Sequence, residues 1–203
     1  MKIAIIGITG RAGSRIATEA LSRGHEVTGI VRTPGKADVP TGVDVKQGDA
    51  TQPESIAAAL RGYDAVVSAA RFQTLTAAPL LQAVKAAGVK RLVVVGGAAS
   101  LEGSPGQLVL DSPHFPAEYK PEATAGKRFL DDLRRESSVE WTFISPSAEF
   151  GPGERTGQFR LGSQQLLKDA NGKSHISMED YAIALVDELE KPQHVRERFT
   201  VGY

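Results

Sequence analysis

The sequence predicts an α/β fold, a doubly wound and mostly parallel sheet with helices on both faces, and three observations carry that reading. Short apolar runs rich in β-branched residues, such as Lys2–Ile6 and Arg91–Val95, alternate with helical stretches of about ten residues, the rhythm of βαβ crossovers. The first run breaks at once into three glycines spaced three apart, Gly7, Gly10 and Gly13, ahead of a helical segment. The chain has 203 residues, enough for one domain with a substantial core, and residues 1–203 read as a single unit.

Each element follows in order. Lys2–Ile6 is too short for a core helix and long enough for one buried strand. Ser14–Arg23 continues as a helix closed by Gly24, and Glu26–Val31 is the second strand, ending in Arg32-Thr33. Asp44–Gln47 is a third short strand ending in Gly48-Asp49-Ala50. The helix Pro53–Leu60 that follows has Thr51 as its expected cap, with Glu54 three residues on as in a capping box. Ala65–Ser68 is the fourth strand, leading into Ala69-Ala70; Ala77–Ala87 is an alanine-rich helix closed by Gly88; Arg91–Val95 is the fifth strand.

From Gly96 the rhythm changes. Gly96-Gly97 leaves the fifth strand with no bulk, and Leu101–Lys120 holds Pro105, Pro113 and Pro116 and shows no period, so it reads as a long functional loop. Pro121–Arg135 is the next helix and Glu140–Ile144 a sixth strand, followed by an irregular, glycine-rich stretch over Ser147–Lys173. Ser174–Ser177 is extended, Met178–Glu190 helical, and Arg198–Val201 the last strand. Ligands in such sheets bind outside the carboxyl ends of the strands. Segments 101–120 and 145–177 both leave from that edge, so they are expected to form a small substrate pocket between them.

Composition narrows the function. Lys plus Arg and Asp plus Glu are 24 each, so the net charge is zero, and nothing electrostatic calls for nucleic acid or an anionic membrane. No run approaches the roughly 18 apolar residues of a membrane span, and the first residues open a strand, so no signal peptide is expected. The absence of cysteine excludes disulfides and thiolate catalysis and agrees with an expected cytoplasmic location. Four histidines without close spacing predict no metal site; His25 and His194 read as loop residues, and His114 is the one kept as a pocket candidate. The expected partner is a small-molecule acceptor, on a monomer or homodimer.

The glycines have distinct physical jobs if a dinucleotide docks on this Rossmann-type turn. The first turns the chain out of the strand, the second lets the backbone approach a pyrophosphate, and the third lets the helix pack close, with its N–H groups facing the anion. Arg32 lies 19 positions after Gly13, where a ribose-reading residue is expected. An acid there would accept from the 2′-hydroxyl of NAD; the guanidinium fork suits a 2′-phosphate. The cofactor read from this is NADP(H), with Thr33 as an extra donor and NAD(H) the alternative if Arg32 merely closes a strand at the surface.

The stretches IAIIGITGRAGSRI, EVTGIVR, GDATQPES, DAVVSA and KRLVVVGGA together resemble the atypical short-chain dehydrogenase/reductases, the NmrA-like group in particular. PAEYKPEA, WTFISPSAEFGPGERTG, GKSHISMEDYAIALVDELE and RFTVGY resemble the branch labelled NADH-flavin reductases, similar in fold to the biliverdin/flavin reductase group. The resemblance implies that Gly7, Thr9, Gly10, Arg11, Ala12 and Gly13 line the pyrophosphate, that Arg32 holds the 2′-phosphate and that Asp49 meets the adenine edge. It further implies that Ser68, Ala69 and Ala70 pass under the adenine-side ribose and that Gly96-Gly97 approach the nicotinamide half. Asp49 as an ordinary turn residue is the competing reading.

The chain departs from the typical short-chain dehydrogenases, which place a Tyr and a Lys four residues apart on one helix face. Tyr119 is followed at that distance by Ala123, and its near lysine is the adjacent Lys120, which a helix would send to another face. As an acid, Tyr119 would have to act from an extended segment; otherwise it anchors a lid. Ser100 lies close beyond the fifth strand, and Ser147 stands where some related flavin reductases carry a His. Tyr119, Ser100 and His114 are therefore the catalytic candidates. Glu149, Arg155 and Arg160 are either substrate contacts or solvated loop charge, and Trp141 and Phe143 are packing. The function expected is NAD(P)H-dependent reduction of a flavin, quinone or similar flat acceptor, since hydride transfer between such rings needs no dyad. The alternative is a non-catalytic NADP(H)-binding redox sensor of the NmrA-like kind.

Overall fold

The computed structural model describes residues 1–203. Its strands and helices are β1 (Lys2–Ile6), α1 (Arg11–Ser22), β2 (Glu26–Val31), β3 (Asp44–Gln47), α2 (Pro53–Leu60), β4 (Ala65–Ser68), α3 (Ala77–Ala87), β5 (Arg91–Val95), β6 (Glu102–Ser104), β7 (Gln107–Leu108), α4 (Lys120–Leu133), β8 (Glu140–Pro146), β9 (Glu149–Gly151), β10 (Arg160–Gly162), β11 (His175–Ser177), α5 (Met178–Glu190) and β12 (Glu197–Gly202). The main sheet has eight strands in the order β3-β2-β1-β4-β5-β8-β12-β10, and only the β10 edge pairing is antiparallel.

The residues explain the architecture. Strands β1, β4 and β5 are apolar on both faces because helices cover both. Ala4, Ile6, Val66 and Phe143 pack under α2, α3 and α4, while Ile3, Ile5, Val67 and Phe199 pack under α1 and α5. The chain runs outward from β1 through β2 to β3, then returns to build the other half from β4. The switch point therefore lies between β1 and β4, where the Ala69 N–H donates to the Ile6 carbonyl at 2.8 Å.

Several expected boundaries shift for identifiable reasons. Helix α1 starts at Arg11, inside the glycine turn, and α4 starts at Lys120 with Pro121 in its first turn. Strand β8 runs on to Pro146 because β12, itself extended to Glu197–Gly202, pairs along its length. The capping box at α2 is absent. Gln52 is the N-cap, and the Thr51 hydroxyl donates instead to Asp49 Oδ1 at 2.7 Å. The stretch 101–120 is more ordered than a plain loop: it holds the β6–β7 hairpin and short 3₁₀ turns at Val109–Asp111 and Ala117–Tyr119. No helix is long and apolar enough to cross a membrane.

Candidate functional site

Two clefts open at the carboxyl edge of the sheet, and the Gly7–Arg11 turn borders both. The first, about 400 Å³, is lined by Gly7, Thr9, Arg32, Thr33, Asp49 and Ala70, joined by Lys36. The second, about 780 Å³, brings together Arg11, Gly96, Gly97, Ser100, His114 and Tyr119. Gly10, Ala12, Gly13, Ser68 and Ala69 line neither cleft; they form the turn and strand ends between them.

The turn itself is set by steric demand. Gly7 has φ +83°, and a Cβ there would stand 2.6–2.7 Å from the backbone of Ala69 and Ala70. A Cβ on Gly13 would stand 2.3 Å from the Gly7 carbonyl oxygen and 2.9 Å from the Ile8 Cα, so the helix packs on the turn after β1 only through glycine. Gly10 differs: its Cβ would meet nothing nearer than the Gly7 carbonyl oxygen at 3.1 Å. As N-cap of α1 it offers no side chain, and no acid stands in the first turn, so the positive end of the helix faces open space.

At the far end of the first cleft, Arg32 is exposed and in no ion pair; Gln47 Nε2 donates to its carbonyl at 3.3 Å, leaving the guanidinium free. Lys36, from the 3₁₀ turn Pro34–Lys36, adds a second cation that the spacing argument missed. Asp49 accepts from the Thr51 hydroxyl and from the Thr51 N–H at 3.0 Å, an Asx turn. Those bonds, helped by the charge of Arg32, hold its carboxyl below the usual range.

The second cleft is walled by Phe72, Phe115 and Phe150, none of which stood out in the sequence. Phe72 stacks on Phe143 at 5.9 Å and tilts against Phe129 at 5.2 Å. Glu122 pins the turn carrying Phe72 to α4, accepting from the Phe72 N–H at 2.7 Å and the Gln73 N–H at 3.2 Å. Phe150 leans on Tyr181, whose hydroxyl donates to the Ile144 carbonyl at 2.7 Å and is pushed up in pKa by complete burial.

Tyr119 is 63% exposed and closes a 3₁₀ turn at the start of α4, which corrects the expectation of an extended segment. Lys120 does not line its cleft. The lysine that does is Lys127, two turns along α4, with Nζ 2.7 Å from Asp131. Of the three loop charges, only Glu149 lines the cleft. Arg155 pairs with Glu19 at 2.9 Å, and Arg160 donates to the carbonyls of Tyr203 and Lys168. Ser147 is buried and donates to the Val201 carbonyl at 3.1 Å, a packing role. His25 and His194 face Glu190 and Glu188 at 2.9 and 2.8 Å.

A polar scaffold ties residues 153–157, which line neither cleft, to α5. Asp180 is fully buried and accepts from the Thr156 N–H and Gly157 N–H, both at 2.8 Å, the Thr156 hydroxyl at 2.5 Å and the Tyr203 hydroxyl at 2.7 Å. Burial alone would raise its pKa, yet these four donors outweigh it and hold the carboxyl below 3.8. Glu179 ties the same segment to α1, accepting from Gly153 N–H at 2.7 Å and Arg15 Nε at 2.5 Å.

This geometry has counterparts. Residues 7–192 match a family of NAD(P)H-binding proteins. The uncharacterized protein YwnB of Bacillus subtilis (strain 168) is 42% identical over 211 residues, covering 99% of this chain and 98% of that protein. A solved structure from Streptococcus pneumoniae TIGR4, provisionally named an NADH-flavin reductase, superposes with a TM-score of 0.86 at 39% identity, covering 100% of this chain and 99% of that one. The NAD(P)H azoreductase of Xenophilus azovorans is 27% identical over 209 residues, 98% of this chain and 67% of that protein. With the resemblance to the atypical short-chain dehydrogenase/reductases already legible, the chain belongs to the NAD(P)H-binding family.

Proposed function

We propose that the chain is an NADPH-preferring reductase that passes hydride to a flavin or similar flat acceptor such as a quinone, residues 1–203 acting as one domain. The observation that carries this is the pairing of the two clefts across one glycine turn. One ends in two cations free for a 2′-phosphate; the other is lined with aromatic rings, and its Tyr119 and Lys127 stand eight residues apart, not four, with Lys127 bonded to Asp131. The residues fit a dinucleotide: the open α1 N-terminus and bare Gly10 for the pyrophosphate, Arg32 and Lys36 for the phosphate, Gly96-Gly97 for the nicotinamide side. In this reading Thr9, Arg11, Ala12 and Gly13 shape the pyrophosphate turn, Thr33 supports Arg32, and Ser68, Ala69 and Ala70 underlie the ribose. Bound NADPH would supply hydride from C4 of its nicotinamide to N5 of the flavin. The protein's part is to hold two rings at reacting distance and exclude water between them, and solvent completes protonation of the acceptor. Segments 101–120 and 145–177 form the acceptor pocket.

The test is a pair of measurements. Titration of wild type and Arg32→Ala with NADPH and NADH should show wild type favouring NADPH and the variant losing about 2 kcal/mol for NADPH alone. Equal binding by wild type would overturn the preference. NADPH oxidation with FMN, FAD, riboflavin and quinones then separates enzyme from sensor: tight NADPH binding without turnover on any of them replaces this reading with the sensor.

A further inference from the structure

The protein buries two arginines in strands of the sheet and treats them differently. Arg91, 5% exposed, has its carboxylate: Glu188 Oε1 lies 2.9 Å away. Arg198, equally buried, has none within ion-pair distance. It donates to Ser100 carbonyl at 3.3 Å, to Ser100 Oγ at 3.4 Å, to Ser145 Oγ at 3.3 Å and to Gln164 Oε1, all neutral acceptors. Burial, reinforced by Arg134 and opposed by Glu102, draws its pKa down to about 10, which leaves it charged at neutral pH. A buried cation whose hydrogen-bond acceptors are all neutral, with its opposing charge Glu102 beyond ion-pair distance, is costly, so its position calls for an explanation.

That position is behind the floor of the aromatic cleft. Ser100 lines the cleft while its oxygen accepts from Arg198, and its own proton meets no acceptor in the protein. We propose that Arg198 is a positioning residue that polarises the Ser100 hydroxyl, so that Ser100 donates to the negative charge an acceptor gains on reduction. The inference rests on the reductase reading and names its acceptor class: a ring system that becomes anionic when reduced. In the step itself the nicotinamide C4–H bond breaks with both electrons and a new bond to hydrogen forms on the acceptor. The cofactor is oxidised and the acceptor reduced, and the electron pair displaced in the acceptor settles on a ring heteroatom until water protonates it. A donor aimed at that charge, backed by a full cation in a water-poor floor, stabilises the product side of the step. Mere structural bracing would also tie Ser100 to Gln164, so the test must separate charge from bracing.

Flavin binding does so without turnover. At pH 8 the ring of FMN is neutral when oxidised and anionic when reduced, and the phosphate is common to both. Anaerobic titrations of the NADP⁺-loaded protein should show wild type holding reduced FMN at least about tenfold more tightly than oxidised FMN. Ser100→Ala and Arg198→Met should lose most of that preference, and Arg198→Lys should keep it, at unchanged NADPH affinity. Hydride transfer from NADPH to FMN, read by stopped flow, should fall by about tenfold to a hundredfold in Ser100→Ala. No preference in wild type, or a preference intact in Ser100→Ala, overturns the inference; if Arg198→Met does not fold, Ser100→Ala decides. Rates equal to wild type in Ser100→Ala and a folded Arg198→Met also overturn it, with the reductase reading intact. A wild type that prefers the reduced ring yet transfers no hydride supports the inference and overturns that reading.

Discussion

The cleft at Gly7 and Arg32 is built from backbone at strand ends, whereas the cleft at Ser100 and Tyr119 is built from side chains on loops that other side chains hold in place. In the first, Gly7 and Gly13 remove bulk and the β1–β4 switch point supplies the crevice. In the second, Glu122 and Arg198 reach across the fold to Phe72 and Ser100 in its lining. The difference teaches that one cleft can be shaped by local backbone geometry while its neighbour depends on long-range polar ties. Substitutions should therefore affect the two sides separately.

The sharpest break is within the glycine turn. Gly10→Val should leave the circular dichroism spectrum and thermal midpoint near wild type while NADPH binding weakens about a thousandfold, or ~4 kcal/mol. Gly13→Val should instead lower the midpoint, because its side chain would drive into Ile8. Undiminished affinity in a folded Gly10→Val would mean that these glycines serve the turn alone.

The next effect belongs to the segment 153–157 that Asp180 holds. Asp180→Ala removes the shared acceptor of four part-buried hydrogen bonds and should cost about 2 kcal/mol in urea unfolding at pH 7, with NADPH affinity unchanged. Its folded pKa lies below the ordinary 3.8, so its contribution is complete above about pH 4 and is lost as pH falls through the folded value. The gap between wild type and variant should close over that acidic range. A gap constant down to pH 3 would show that the carboxylate's charge does not carry the tie.

How much could be read in advance divides along the same line. The boundaries of β1, β2, β4 and β5 and of α2, α3 and α5 agree with the sequence because apolar runs buried on one or both faces announce themselves by period. Arg32 was legible because spacing from a glycine motif is a property of the chain. Lys36, Phe72 and Lys127 were not, since they reach their clefts through turns and helix phase that no motif encodes. Nor could the Arg198–Ser100 contact be foreseen across 98 residues, or Arg155–Glu19 across 136. At Thr51 a helix cap and an Asx turn competed, and the turn to Asp49 won.

The smallest expected effect tests whether the second cleft carries an acid. Tyr119→Phe keeps the ring and should slow hydride transfer to FMN by less than about tenfold, under ~1.4 kcal/mol of barrier. A loss of about a hundredfold would give that cleft a general acid and an acceptor of the carbonyl kind.

The placing of β10 at the sheet edge fixes an order of assembly. Its one partner in the sheet is β12, which begins 197 − 162 = 35 residues later, whereas β1, β2 and β4 pair within the first third of the chain. During synthesis the strands around the β1–β4 switch point are complete long before β10 has a neighbour to pair with. The crevice at the switch point can thus form early, while the far edge of the sheet stays incomplete until the last strand is inserted between β8 and β10.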